Sequence, residues 1–265
     1  MWDTLIIEPM VNLLLLIYQW VGANFGIAII LFTILIRLIT YPLTTQQMKS
    51  SQKMQELQNS EKWKTIQKKY KDDREKLAQE QMKLYQEMGF NPFAPCLPTL
   101  IQFPIIIGLY QAITRALAAT PLQLLDFQKH VYGIVDAANL IPLNSRFLWM
   151  DLGQPERINI FGIGIPLLAI LVVITTFLQS KLMTPVAPPS STDQSAQMTK
   201  MMNLYMPLLM GYFAYLWASG LALYFLVSNL VGIAQYAMMG KLNIRNLLPA
   251  SMTAAKTNSK PTTKQ

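Results

Sequence analysis

One cysteine, one histidine and few charges set the first limits on this 265-residue chain. The lone Cys96 excludes an intramolecular disulfide. The lone His130 leaves no His/Cys/carboxylate cluster for a metal and no histidine base within an apolar helix to activate a nucleophile. A glycine-rich phosphate loop is also missing, so neither a cofactor nor an enzymatic reaction is expected. WASG at 217–220 offers Ser219, but without a base beside it the serine reads as part of a tight turn between two helices. Charged residues make up 14% of the chain against 52% hydrophobic, too little charge for an ordinary soluble domain. No Lys or Arg occurs before Arg37.

The hydrophobic residues are gathered into blocks at 25–43, 97–119, 160–178 and 221–239, with a shorter one at 204–218. A span needs about 20 mostly apolar residues, so five spans are expected in an all-α, polytopic helical membrane protein. Basic residues are retained on the cytoplasmic side of short loops. Ten lie in 47–92, while 118–158 holds only Lys129, Arg146 and Arg157 among four acids. The alternation predicts an N-terminus outside and a C-terminus inside, and in the absence of an organellar targeting segment a bacterial inner membrane is expected. Much of the net charge of +8 is then topological, with lipid and ribosomal RNA as attractive surfaces for the tail. The expected segments are an interfacial helix at 1–22, span 1 at 23–46, a cytoplasmic helical hairpin at 47–92 and span 2 at 93–117. An outer loop at 118–158, span 3 at 159–182, a cytoplasmic loop at 183–202, span 4 at 203–219, span 5 at 220–240 and a basic tail at 241–265 follow.

The N-terminal segment has acidic Asp3 and Glu8 where a signal peptide wants basic residues, so it is expected to stay. Trp2, Tyr18 and Trp20 suit interface anchors. Residues 47–92 favour helix throughout, with a break at YKDDREKL, 70–77, where Asp72 and Glu75 form a capping pair. Trp63, Ile66 and Tyr70 share one helical face, and Leu77, Leu84 and Met88 another, so two helices fold back on each other. Trp63, Tyr70 and Tyr85 are the hairpin's candidate partner contacts, although a solvated connector fits composition equally well. The loop 184–197 is expected to be unstructured.

Arg37 is the anomaly, because a charge at the centre of an isolated span costs about 2.5–3.5 kcal/mol on insertion scales. It can snorkel to the headgroups or face a polar interior. Thr33 lies one turn away, and Gln102, Gln111, Ser228, Asn229 and Gln235 recur in other spans. Such groups avoid lipid, and together they point to a polar space inside the bundle with Arg37 as its charge. A span of about 22 Å at 204–218 is shorter than the hydrocarbon core and would thin the bilayer. Two other classes fit in part: a small anion transporter or channel, and a scaffold in which Arg37 is idle. The apolar outer half of the first span and the opening of the third, IFGIGIPLLAIL, favour a blind cavity over a conduction path.

The ordered motifs RLITYPLT (37–44), NPFAPCLPTLIQFPIIIGLYQAI (91–113), FLWMDLG (147–153) and MPLLMGYFAYLWASGLALYFLVSNLVGIAQ (206–235) closely resemble the YidC-type membrane-protein insertase family. The resemblance implies an insertase and chaperone working without nucleotide. Arg37 and Thr33 then match residues lining a hydrophilic groove open to the cytoplasm and lipid. Gln102, Gln111, Tyr224, Ser228 and Asn229 complete the candidate groove, Tyr224 and Phe225 matching the family's aromatic pair. The groove takes the polar or acidic part of a nascent membrane protein while its hydrophobic segment slides into lipid along spans one and three. The resemblance further implies a hairpin needed for activity and a basic tail that contacts the ribosome; solitary action and work with the general secretion translocon both fit the sequence.

Overall fold

The computed structural model describes residues 3–58, 60–70, 73–87, 89, 97–117, 131–132, 143–160, 163–183 and 194–240. Asp72, Met88, the 184–193 stretch, most of 118–142 and the basic tail 241–265 lie outside them. The described chain is mostly helical and divides into two compact units, residues 1–37 with 106–265, and residues 38–105.

In the first unit a short π-helical turn, Asp3–Ile7, leads into α1, Glu8–Trp20. One face of α1 is buried through Val11, Leu14, Leu15 and Tyr18, while Trp20 is 94% exposed. Ile6 and Met10 press onto Gly108, where a Cβ would stand 2.7 Å from the Met10 sulfur. Asn12 and Tyr18 carry polar handles on the buried face. The Tyr132 N–H donates to Asn12 Oδ1 at 2.7 Å and the Asn144 N–H to the Tyr18 hydroxyl at 3.0 Å. Gly22 and Ala23 then reverse the chain with φ of 70° and 63°, and Asn24 Oδ1 accepts from Ile27 N at 3.1 Å to cap α2, Phe25–Ile39.

The same unit contains the C-terminal half of α6, Leu97–Ala116, and two small antiparallel hairpins, β1 (Arg146–Phe147) with β2 (Met150–Asp151) and β3 (Ile158–Ile160) with β4 (Ile163–Ile165). It ends with α7, Leu167–Met183, α8, Gln194–Leu216, and α9, Ser219–Met238. Helix α7 packs on both α8 and α9. Small residues permit this: Val173 of α7 lies directly against Gly211 of α8. Helix α9 buries Leu221, Ala222, Leu223, Tyr224 and Phe225 in succession, as a central helix does.

Two expectations change here. The third apolar helix begins at Leu167, not at 159, because Ile158–Ile160 and Ile163–Ile165, where β-branched Ile alternates with Asn or Gly, form β3 and β4, and Pro166 opens the helix. At 17 residues α7 is about 25 Å long. The fourth helix begins at Gln194, so residues 194–197 of the expected loop are helical. The helix has 23 residues, but its apolar part, Leu204–Leu216, remains about 20 Å. Among the described residues α9 alone is long and apolar enough by itself to cross a membrane, and Phe25–Ile39 passes only together with Tyr41–Ser50.

The second unit holds α3, Tyr41–Gln58, α4, Glu61–Lys69, and α5, Arg74–Glu87. Pro42 lies in the first turn of α3, where its missing N–H breaks no internal bond. Ser60 caps α4 by accepting from Trp63 N at 3.2 Å, so the first expected hairpin helix is split in two. The oxygen that caps α5 is that of Asp73, accepting from Lys76 N at 3.1 Å. That bond and the Lys76 ammonium hold the Asp73 carboxyl below its ordinary range. Leu57, Trp63, Leu84 and Tyr85 form the unit's core, with Ile66 and Leu77 packed on it. Trp63 and Tyr85 are only 4% and 6% exposed, and their rings pack in the core of the hairpin. Tyr70 is half-buried with Lys69 above its ring.

Candidate functional site

Arg37 lies in the last turn of α2, where a cation complements the negative end of the helix dipole and the final carbonyls lack partners within the helix. Residues of α9 meet both needs. Gln235 Nε2 donates to the Arg37 carbonyl at 3.1 Å, and the guanidinium donates to Ser228 Oγ through Nε at 2.9 Å and also through Nη2. Ser228 and Gln235 are seven apart, two turns on one helical face, and both are buried. The next residue, Asn229, turns to the third helix and donates to Thr175 Oγ1 at 3.1 Å and Thr176 Oγ1 at 2.8 Å. Thr175 donates onward to Leu171 O at 2.8 Å.

A polar belt thus joins α2, α7 and α9 at the level of Arg37. None of these three helices carries an Asp or Glu. Arg37 is half-buried, so the belt presents a fixed positive charge supported by neutral hydroxyl and amide groups. Gln235 Oε1 is buried with no hydrogen-bond partner among the described residues. What such a belt does chemically is electrostatic. In low-dielectric surroundings a charge acts on anionic groups more strongly than in water.

Gly232 lets the helices come this close. A Cβ there would stand 2.6 Å from Gln179 Nε2 of α7 and 4.0 Å from Arg37 Nη1. We expect Gly232→Ala to be tolerated by a shift of the Gln179 amide, whereas Gly232→Leu forces α7 from α9 and costs about 1–3 kcal/mol, as overpacking does. Thermal unfolding of the two variants in detergent measures the difference.

The residues anticipated from sequence are placed as follows. Arg37, Ser228 and Asn229 meet in the belt. Thr33 is fully buried, and its hydroxyl donates to Ile29 O at 2.6 Å within its own helix. Tyr224 and Phe225 are buried with ring centroids 5.7 Å apart, one turn before Ser228 on α9. Gln111 is half-buried beside Ala112 and Ile113, and the side chain of Gln102 lies outside the described residues. Thr175, Thr176 and Gln179 were not anticipated. Their signal is the run TTFLQ inside an apolar helix, where polar residues four apart share a face.

Comparison with known proteins covers most of the chain. The profile of the family described as "60Kd inner membrane protein" matches residues 16–246. Membrane protein insertase MisCA of Bacillus subtilis is 36% identical over 238 residues, which cover 88% of this chain and 77% of that protein. Membrane protein insertase YidC of Oceanobacillus iheyensis is 34% identical over 245 residues, covering 91% and 84%. A crystal structure of an active YidC insertase with its first transmembrane domain resolved matches with a TM-score of 0.52 and 27% identity, over 83% of this chain and 44% of that one. On a helical fold, a polar belt around Arg37 and this breadth of similarity, the chain belongs to the YidC-type family of inner membrane proteins.

Proposed function

We propose that the protein is a membrane-protein insertase and chaperone of the bacterial inner membrane. In this reading α2, α6, α7, α8 and α9 are its spans, with the N-terminus outside and the C-terminus cytoplasmic, the side on which the basic residues of 47–92 and the tail gather. Arg37 stands in a hydrophilic groove that receives the polar or acidic part of a nascent membrane protein. The hydrophobic part of the substrate passes into lipid along α2 and α7. The Arg37–Ser228 contact at 2.9 Å is the observation that carries the reading, because it places a charge among helices without acids.

Two exposed apolar rows support the lipid path. Leu31 and Leu35 are one turn apart on α2, and Ile170, Ile174 and Phe177 recur on one face of α7. A substrate helix lying there exchanges lipid contact for protein contact at little cost, so it can leave as readily as it arrives. The work then comes from substrate hydrophobicity and from the membrane potential, worth about 2.3 kcal/mol per charge per 100 mV. The tail is read as a ribosome contact and the secretion translocon as an auxiliary partner.

Photo-crosslinkers at Leu35 and Ile174 are expected to trap a nascent single-span substrate, and one at Leu230, an exposed residue of α9, is not. Trapping equal at all three sites, or at none, would remove the basis for the proposed path.

A further inference from the structure

We propose that the tip of the β1–β2 hairpin, Leu148–Trp149, is a lipid-interface anchor. The inference rests on reading α7 and α9 as spans, and it concerns the end of the bundle where both helices begin. Four bonds fix the hairpin and its continuation at that level. The Ser219 and Gly220 N–H groups, at the start of α9, donate to Gln154 O at 2.8 Å and Leu152 O at 3.0 Å, and Ser219 Oγ donates to Asp151 O at 2.7 Å. At the start of α7, the Leu168 N–H donates to the buried Glu156 carboxylate at 3.0 Å. Two helix N-termini, whose leading N–H groups have no partner within the helix, are thereby capped by one loop segment at the level where the hydrocarbon ends.

Aromatic and basic groups gather at this level as they do at a membrane boundary. Trp217 stacks on Phe213 with centroids 4.7 Å apart, and the Arg157 guanidinium lies 5.4 Å from the Tyr215 ring centre. The tip continues this belt. Trp149 donates its indole N–H to Glu156 at 2.9 Å, so its polar end is held against the protein while the residue as a whole is 52% exposed. Leu148 is 73% exposed and holds a φ of 54°, a left-handed conformation that Asn or Gly adopts more easily. A water-facing turn gains nothing from a bulky apolar residue there. An apolar side chain beside an indole with its N–H already bonded fits the acyl–headgroup boundary of a bilayer, with Arg157 able to reach lipid phosphates. The occupant is therefore the lipid surface.

The test places a cysteine-linked, polarity-sensitive fluorophore at Leu148→Cys and, separately, at Leu230→Cys, each in the full chain with Cys96→Ser, in phosphatidylethanolamine/phosphatidylglycerol vesicles. The expected result at 148 is blue-shifted emission, quenched more by nitroxides near the headgroup than by nitroxides deep in the chains or by aqueous iodide. At 230 the deep nitroxides should quench. Aqueous quenching at 148 with lipid quenching at 230 overturns the anchor alone. Aqueous quenching at both overturns the reading of α9 as a span and the anchor with it. Protection at 148 from iodide and nitroxides alike means a protein contact and also overturns the anchor.

Discussion

Arg37→Ala is expected to reduce insertion of a single-span substrate with a short acidic tail to the level of empty liposomes, while Arg37→Lys keeps much of it. The guanidinium is placed at the C-terminal turn of α2, beside Ser228, where no helix of the belt supplies an acid. At an effective dielectric of about 20, a charge pair at 4 Å is worth about 4 kcal/mol, and removing the cation removes that attraction. Lysine keeps the charge and can still donate to Ser228, but it loses the two-nitrogen grip on one hydroxyl. Protease protection of the substrate tail measures the three proteins. Equal protection with wild type and Arg37→Ala would assign the residue to snorkelling.

Trp63→Ala is expected to unfold the hairpin of α4 and α5. Trp63 is 4% exposed against Leu57, Leu84 and Tyr85, and large-to-small changes of a buried Trp cost about 3–5 kcal/mol. A unit this small has little stability to lose. Its surface ion pairs, Lys64–Glu61, Lys76–Asp73 and Lys83–Glu80, are solvent-exposed and offset little of the loss. Hydrogen exchange over α4 and α5 should accelerate, with α9 unchanged, and Trp63→Phe should remain protected. Insertion should fall with the unfolding if the hairpin is needed for activity. Accelerated exchange in α9 as well would mean that Trp63 stabilises more than its own unit.

The belt was legible in part because polar residues in apolar blocks are costly and therefore informative. Arg37, Ser228, Asn229 and Gln235 each stood out against Leu, Ile and Val, and the structure brings them together. Thr175, Thr176 and Gln179 were less visible, since Thr hides in an apolar helix by donating to its own backbone, as Thr175 does to Leu171 O. Thr33 does the same, its hydroxyl donating to Ile29 O within its own helix. Element boundaries erred where hydrophobicity and conformation disagree. Ile158–Ile160 and Ile163–Ile165 are apolar enough to read as part of a span, yet they form strands, and Gln194–Lys200 is polar enough for a loop, yet it is helical. A sequence stripe does not distinguish a face buried inside the hairpin, as Trp63 and Tyr85 are, from one offered to a partner.

The most direct test of the account varies the two charges together. Wild type and Arg37→Ala, each alone in vesicles, are offered substrates identical except for an acidic or a neutral tail, and protected tail is measured. The account predicts that the acidic tail inserts better with wild type, by about 5–150-fold for a coupling of 1–3 kcal/mol, and that this advantage disappears with Arg37→Ala. An advantage of the same size with both proteins would contradict it, because the acidic segment would then be responding to something other than Arg37.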